Sequence, residues 1–288
     1  MCGICGIYQY GTGMPVEAGL VDAMLDRIRY RGPDDAGSHA EQAMAFGMCR
    51  LSIIDLAGGK QPIFNETGEI AIVFNGEIYN YIELRQRLIQ RGHRFTTSGD
   101  TEVIVHLYEE FGSSCVDHLR GMFAFAIWDR RDASLFIARD RLGIKPLYYF
   151  QNDEVLIFSS EIKTILQYPG IKAQLDLEGL NSYLAFRYVP APKTFFAGIQ
   201  SLPPGHTLTC RKTAIEINAY WDISFARQPN HQCSEEASSE QLLALLRDTV
   251  RLHLRSDVPF GAFLSGGLDS SLIVGLMSEV LDQAIKTF

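Results

Sequence analysis

The second residue of the chain, Cys2, is the first place where residue type and position could do chemistry. Removal of Met1 would leave a thiol and a free α-amine on the same residue. An amine with a pKa of about 7.7–8.0 can take the proton of a thiol at about 8.5, so the residue would carry its own base. Such a thiolate attacks a carbonyl and forms an acyl-enzyme. Two other readings stand beside this one. Cysteine is often simply buried, and Cys2-Gly3-Ile4-Cys5 has the spacing of a metal or redox pair. Zinc would need two further ligands at suitable spacing, and a thioredoxin-type pair should follow a strand.

Three further candidates are polar residues in otherwise apolar text. Arg50 offers a planar fork of donors that matches a carboxylate, and Asp100 offers an acceptor for an ammonium. The plainer alternatives are a surface ion pair for Arg50 and an N-cap for Asp100, which precedes a helical run. Asn75-Gly76 follows an apolar strand and reads equally well as a hairpin turn or as a pair of donors aimed at a developing oxyanion. Towards the end, Phe-Leu-Ser-Gly-Gly-Leu-Asp-Ser-Ser at 263–271 places a glycine loop between an apolar segment and a helix. There, backbone N–H groups and a helix N-terminus can hold phosphate oxygens. The Lys-Ser/Thr ending of a Walker A loop is absent. A plain strand-to-helix connection capped by Asp269 is the competing reading.

The elements that must position these residues follow from periodicity. A strand at 2–9 is followed by a helix in which Leu20, Met24 and Ile28 keep helical spacing until Gly32-Pro33 stops it. Strands are expected at 43–54 and 69–74, helices at 79–91 and 101–111, and then a meander of four short strands between Met122 and Ser159. Strands early, helices in the middle and strands again predict an α+β layered domain. Arg31-Gly32-Pro33-Asp34 reads as a structural turn, and the aromatics of 121–129 as core. A polar stretch at about 225–240 has the composition of a linker. Beyond it, Leu242, Leu245, Leu246, Val250 and Leu254 form a helical stripe, followed by an apolar strand Val258–Leu264 and a helix from about 270, the opening of a parallel α/β unit. Too few residues follow to complete that unit, so it reads as a fragment.

Composition narrows the function classes. The 288 residues carry 26 Lys and Arg against 34 Asp and Glu, a formal charge of −8, which disfavours a nucleic-acid surface. No run of about 18 apolar residues and no basic leader occurs, so no membrane partner is expected and the location reads as cytoplasmic. Cysteines at 2, 5, 49, 115, 210 and 233 suit neither a disulfide framework nor a zinc ribbon. No metal ligand is assigned.

Taken together the motifs identify a resemblance. Met-Cys-Gly-Ile at the start, Arg31 to Asp34, Arg50 to Asp55, Phe74 to Asn80, Ser98 to Glu102, Ala138 to Arg141 and Gly143 to Tyr148 occur in an order that resembles class II, N-terminal-nucleophile glutamine amidotransferases of the asparagine synthetase type. The resemblance implies a layered αββα glutaminase domain over 2–220, a linker at 221–240 and the truncated start of an ATP-pyrophosphatase domain at 241–288. It implies that Cys2 is the nucleophile, that Asn75 and Gly76 form the oxyanion hole, and that Arg50, Ile53, Glu77 and Asp100 complete the glutamine pocket. Leu264, Ser265, Gly266, Gly267, Asp269 and Ser270 resemble the pyrophosphate loop of ATP pyrophosphatases, with Mg²⁺ implied by an aspartate beside phosphates. The implied substrates are glutamine, ATP and aspartate or another carboxylic acid. The glutaminase half is expected to need no cofactor, and a homodimer is left open. The alternatives are amidation of a different carboxylate, in surface polysaccharide or secondary-metabolite synthesis, and a bare glutaminase. Cys5 and Cys49 depart from the usual family text, and Cys5 is expected to be open to oxidation with Cys2.

Overall fold

A computed structural model describes residues 1–225, 234–281 and 284–288. Residues 226–233 of the polar stretch expected as a linker, Cys233 among them, lie outside the described residues. The chain divides into two compact units, Met1–Asp222 and Ile223–Phe288. The first runs β1 (Gly3–Tyr8), α1 (Ala18–Asp26), β2 (Asp35–Glu41), β3 (Met44–Arg50), β4 (Ile63–Phe64), β5 (Ile70–Ile78), α2 (Tyr81–Gln90), α3 (Thr101–Phe111), β6 (Gly121–Asp129) and β7 (Ser134–Arg139). It continues with β8 (Tyr148–Gln151), β9 (Leu156–Ser159), α4 (Ile162–Ile165), α5 (Leu177–Phe186), β10 (Ile199–Ser201), β11 (His206–Arg211) and β12 (Ala214–Ala219).

The strands form two six-stranded sheets, ordered β10-β8-β9-β1-β3-β2 and β12-β11-β7-β6-β5-β4. Alternation along each strand sends its side chains to two different cores. Ile4 and Tyr8 of β1, Phe46 and Met48 of β3, and Ala71 and Val73 of β5 meet Ala124, Ala126 and Trp128 of β6 between the sheets. The opposite set on the first sheet, Cys5, Ile7, Ala45 and Cys49, packs against Val21, Met24 and Ile28 on the α1 side. On the second sheet Ile72, Phe74, Phe125 and Ile127 pack against Leu84 of α2 and Val103, Ile104 and Leu107 of α3. Both faces of β1, β3, β6 and β7 are therefore apolar, as central strands in a helix–sheet–sheet–helix stack must be. This is the α+β layering that the order of elements predicts.

Three local expectations change. Asn75-Gly76 is not a hairpin turn: β5 runs on to Ile78, and Asn75 and Gly76 sit opposite Ala124 and Phe123 of β6. A side chain at Gly76 would meet the Met122 carbonyl at 2.2 Å, so the strand stays straight there by lacking one. The strand expected at 43–54 ends at Arg50, and the rest becomes loop. The strand β2 is missed because its sequence, Asp-Ala-Gly-Ser-His-Ala-Glu, is polar and lies at a sheet edge, where apolar content is not required.

Two residues at the end of β7 shape the loop that follows. Asp140, almost wholly buried, accepts backbone N–H bonds from Phe123 (3.2 Å), Leu142 (3.2 Å), Ile144 (2.9 Å) and Lys145 (2.9 Å). The Arg139 guanidinium donates to the carbonyls of Lys145 (2.8 Å), Gly143 (2.9 Å) and Leu202 (2.6 Å) and to Ser201 Oγ (3.0 Å).

The second unit runs α6 (Glu235–His253), β13 (Gly261–Ala262), α7 (Leu268–Val280) and β14 (Lys286–Thr287). The strands β13 and β14 pair in parallel, as the α/β reading expects, although β13 is shorter than the apolar run 258–264. On α6 the packed stripe is Leu243, Leu246, Val250 and Leu254 against Leu276 and Met277 of α7. Leu242 and Leu245, placed on that stripe by the sequence, are exposed.

Asp140→Asn would turn an amide NH₂ towards N–H donors that now share a carboxylate. It is expected to cost about 2 kcal/mol or more of stability, read as a lower denaturant midpoint. An unchanged midpoint would show that the loop holds its shape without that acceptor.

Candidate active site

Strand alternation brings Cys2 and Asn75 to one place. Cys2 continues the inner-facing series of β1, and Asn75 that of β5, so both look into the space between the sheets at one end of the sandwich. There a cavity of about 300 Å³ is lined by Cys2, Arg50, Ile53, Asn75, Gly76, Glu77 and Asp100. All seven residues expected to form the glutamine site thus border one cavity. Met1 and Lys145 also line it.

The thiol of Cys2 faces the loop after β3. Its sulfur lies 3.4 Å from the Leu51 N–H, which donates to it, and 3.6 Å from the Leu51 carbonyl. Burial raises the Cys2 pKa, against the Leu51 N–H and the nearby amino terminus, Lys145 and Arg50, all of which favour the thiolate. Burial also lowers the pKa of the Met1 amine, which the Cys2 thiolate raises. The main chain at Cys2 is fixed from outside the cavity: Arg31 Nε donates to the Cys2 carbonyl at 2.9 Å, and Arg31 Nη1 pairs with Glu161 at 2.8 Å. Arg31 therefore does more than end a helix. Cys5 sits on the opposite face of β1, fully buried against α1, with its thiol held well above the usual range by burial. The expectation that Cys5 oxidises with Cys2 is not met, since the two thiols leave the strand on opposite sides.

Arg50, the last residue of β3, makes no surface ion pair. Its buried guanidinium donates from Nη2 to the carbonyls of Ile54 (2.8 Å) and Asp55 (2.6 Å) and from Nη1 to that of Leu56 (3.5 Å). The loop closes tightly enough that a Cβ at Gly59 would lie 2.2 Å from Arg50 Nη2. Asp55 ties the same loop to the next wall, accepting from Gly58 N–H and Ser98 N–H, each at 2.9 Å.

Asp100 stands just before α3 but does not cap it with its side chain. Its Oδ2 accepts the Ile78 N–H at 2.9 Å, and burial pushes its pKa up to about 7, helped by Glu77 and opposed by the Ile78 N–H and Arg50. Burial raises the Glu77 carboxyl and lowers the Lys145 ammonium, and each charge partly offsets the other's shift. Asn75 is 1% exposed, and neither Oδ1 nor Nδ2 has a hydrogen-bond partner among the described residues. A buried amide left in that state costs about 1–3 kcal/mol, so it stands ready to bond whatever enters the cavity.

Lys145 and Arg31 are the residues that sequence reasoning left unassigned. Both lie in quoted motifs, but nothing in their spacing shows which side of the fold they face. In the second unit, Leu264 to Gly267 are exposed and lead into α7, whose first turn carries Asp269. Ser265 Oγ and Ser270 Oγ lie 3.0 Å apart across the turn, and no side chain caps the helix at Gly267.

Residues 1–221 match the glutamine amidotransferase domain family. This chain belongs to that family. Residues 241–288 match the asparagine synthase family. The chain is 41% identical over 279 residues to asparagine synthetase [glutamine-hydrolyzing] 3 of Bacillus subtilis, covering 96% of this chain and 45% of the relative. It is 39% identical to asparagine synthetase [glutamine-hydrolyzing] 1 of the same organism, covering 100% of this chain and 45% of that one. It is also 36% identical to amidase chry2 of Gibberella zeae, covering 92% and 40%. The chain thus spans less than half the length of these relatives. In fold it is similar to the glutamine phosphoribosylpyrophosphate amidotransferase of B. subtilis, with a TM-score of 0.55 at 17% identity, covering 100% of this chain and 65% of that one. The resemblance carried by the sequence motifs is borne out, as is the layered amidotransferase fold. Among the described residues no helix is long and apolar enough to cross a membrane.

The raised carboxyl of Asp100 makes a stability prediction. Its folded pKa of about 7 lies above the ordinary value of 3.8, so its contribution is favourable at low pH and is lost as pH rises through that window. Asp100→Asn keeps an oxygen for the Ile78 N–H and removes the buried charge. The amidotransferase variant is therefore expected to melt above the parent at pH 8, by about 4 °C or more, with the gap closing towards pH 4. A variant less stable at pH 8 would contradict this.

Proposed function

We propose that the first unit is a glutaminase and that, with the ATP domain begun by the second unit, it serves a glutamine-hydrolysing asparagine synthetase. The observation that carries this is the cavity itself. A thiol beside an amino terminus, a buried guanidinium, a buried carboxyl and an unpartnered buried amide face one volume of about 300 Å³, enough for an amino acid.

Glutamine enters with its α-carboxylate towards Arg50 and its α-ammonium towards Asp100. Arg50 is preorganised, because carbonyls of its own loop fix the guanidinium before the ligand arrives. A pKa of about 7 for Asp100 means that an incoming ammonium draws it into its ionised form, so glutamine affinity falls as the pH drops below neutrality. The side-chain amide then lies against Cys2. With Met1 removed, the α-amine belongs to Cys2 itself, takes the thiol proton and returns it to the leaving ammonia, after which water cleaves the Cys2 thioester to release glutamate and restore the thiol. Asn75 Nδ2 and the Gly76 N–H stabilise the oxyanion of the tetrahedral intermediate. Lys145 adds a positive charge that favours the thiolate, and Glu77 and the backbone around Ile53 close the pocket. Closure keeps the released ammonia from water, where protonation would end its nucleophilicity.

In the second unit Leu264 to Gly267, Asp269 and Ser270 would hold the phosphates of ATP. The uncapped N-terminus of α7 and the exposed loop suit an anion. Asp269 in the first turn suits Mg²⁺, which when bound would neutralise the phosphates. ATP activates the acceptor carboxylate as an acyl-adenylate with loss of PPi, and ammonia displaces AMP. Aspartate as acceptor is supported by the names of the relatives.

Glutamate release decides the first half. Cys2→Ala is expected to abolish it while leaving glutamine binding largely intact, and Asn75→Ala to lower turnover by about 10²–10³-fold. Residual hydrolysis in Cys2→Ala, or an Asn75→Ala loss confined to affinity, would reject these roles. For the second half, a chain extended through the whole ATP domain is expected to form asparagine, AMP and PPi in equal amounts from glutamine, aspartate and ATP. Glutamate release alone, with no nucleotide consumed, would identify a bare glutaminase.

A further inference from the structure

On the α3 side of the second sheet, Glu66, His93, His106 and Glu109 turn one donor atom each towards a common centre, all four lying within 4.8 Å of one another. Glu66 bridges the two imidazoles: its Oε1 is 3.3 Å from His93 Nδ1 and its Oε2 is 3.3 Å from His106 Nδ1. Glu109 Oε2 is 3.8 Å from each of the same two nitrogens. In a tetrahedral site with bonds of about 2.0–2.1 Å, neighbouring donors stand about 3.3 Å apart. The printed edges of 3.3–3.8 Å lie near that value, although the two shortest use different oxygens of Glu66, and with one atom from each residue the four lie within 4.8 Å, so the side chains would close in on an ion. His106 is fully buried, yet neither of its ring nitrogens makes a hydrogen bond of acceptable geometry, and Glu109 Oε2 is likewise buried and unpartnered. His93 Nδ1 does meet Glu66 Oε1 as a hydrogen bond, but the buried His106 nitrogens and Glu109 Oε2 face the same point with no such bond among the described residues, as ligand atoms would.

We propose that Glu66, His93, His106 and Glu109 form a tetrahedral site for a divalent cation of the zinc class. The outer contacts support it. His93 Nε2 lies 3.1 Å from Glu110 Oε1, and His106 Nε2 lies 3.7 Å from Glu102 Oε1. The outer nitrogen of His93 thus has a carboxylate partner and that of His106 a carboxylate nearby, leaving Nδ1 of each as the nitrogen that faces the cluster, the arrangement that orients metal-bound histidine. The two inner carboxylates are themselves held, Glu66 by the Arg94 N–H (2.9 Å) and Glu109 by Asn65 Nδ2 (3.2 Å). Two neutral imidazoles and two carboxylates balance a divalent charge, and the two nitrogens select the zinc class over calcium and magnesium, which take oxygen. Glu66 at the exposed edge opens onto a surface cavity lined also by His93 and Glu109, which gives an entry path.

The site lies away from the cavity of Cys2 but on a shared element. Glu102 of α3 accepts the N–H groups of Thr96 (2.8 Å) and Thr97 (2.7 Å), while Thr97 and Asp100 line that cavity. Metal at the His93 end of this segment would pin a wall of the glutamine pocket.

The test is titration of the chelator-stripped chain with ZnCl₂ by calorimetry, in a Cys2→Ala background so that the half-buried thiol of the cavity does not compete. One zinc per chain is expected, with a melting temperature raised by about 5–10 °C at zinc a hundredfold above Kd. Substitution by Co²⁺ should give the visible d–d bands of a tetrahedral ion. Glu110→Gln, an exposed change that reaches the outer nitrogen of His93 and the Arg91 guanidinium but none of the four inner donor atoms, should weaken zinc by about 10–100-fold. His93→Gln should abolish the site without disturbing the core. No zinc uptake, or uptake unchanged in His93→Gln, would overturn the proposal and leave the cluster as an ion-pair network of protonated imidazoles.

Discussion

The cavity depends on one costly feature: polar groups buried at the end of a two-sheet sandwich and left wholly or partly unsatisfied among the described residues. Asn75 lies in the middle of a strand ladder, paired through its backbone on β6, and its side chain has no bond at all. Asp100 is buried deeply enough to raise its carboxyl to about 7. Such groups persist only where the surrounding structure is rigid enough to prevent their escape to water. Rigidity of the frame and reactivity of the site are thus one requirement.

The frame supplies that rigidity through backbone contacts of charged side chains. Arg50 is held by three carbonyls of the loop that follows it, and Asp140 collects four backbone N–H groups. Arg139 clamps the outer side of the Asp140 loop, and Arg31 fixes the Cys2 carbonyl. None of these charges spends its full valence on an opposite charge. Each converts an irregular loop into a defined wall, which a hydrophobic contact could not do because loops are short of apolar side chains.

Much of this was legible in the sequence, for specific reasons. The apolar alternation of β1, β3, β5 and β6 marks strands whichever sheet they join, and the stripe of Leu20, Met24 and Ile28 marks α1. Asn75-Gly76 misled because a turn and a straight strand crossing close to its neighbour both want glycine; only the partner strand, through the Met122 carbonyl, decides between them. The polar strand β2 escaped because an edge position relaxes the apolar requirement. On α6 the adjacent pairs Leu242-Leu243 and Leu245-Leu246 offer two neighbouring stripes to the sequence, and only the partner helix selects Leu243 and Leu246. Lys145 was unreadable for a different reason: its direction is set by Asp140 and Arg139, whose contacts span the chain from Phe123 to Leu202.

The helix α3 shows why the two polar clusters of the first unit are not independent accidents. Its first residue follows Asp100, and Glu102, His106 and Glu109 continue along it at spacings of four and three, which places them on one face. That face carries a buried carboxylate at about 2, bound by the N–H and hydroxyl groups of Thr96 and Thr97, and then an imidazole and a second carboxylate with free valence. A helix whose other side is packed against the sheet by Val103, Ile104 and Leu107 cannot rotate to expose these groups. It can only acquire something that satisfies them. The one helix therefore borders both polar clusters, with Asp100 and Thr101 at the glutamine cavity and His106 and Glu109 at the second cluster further along.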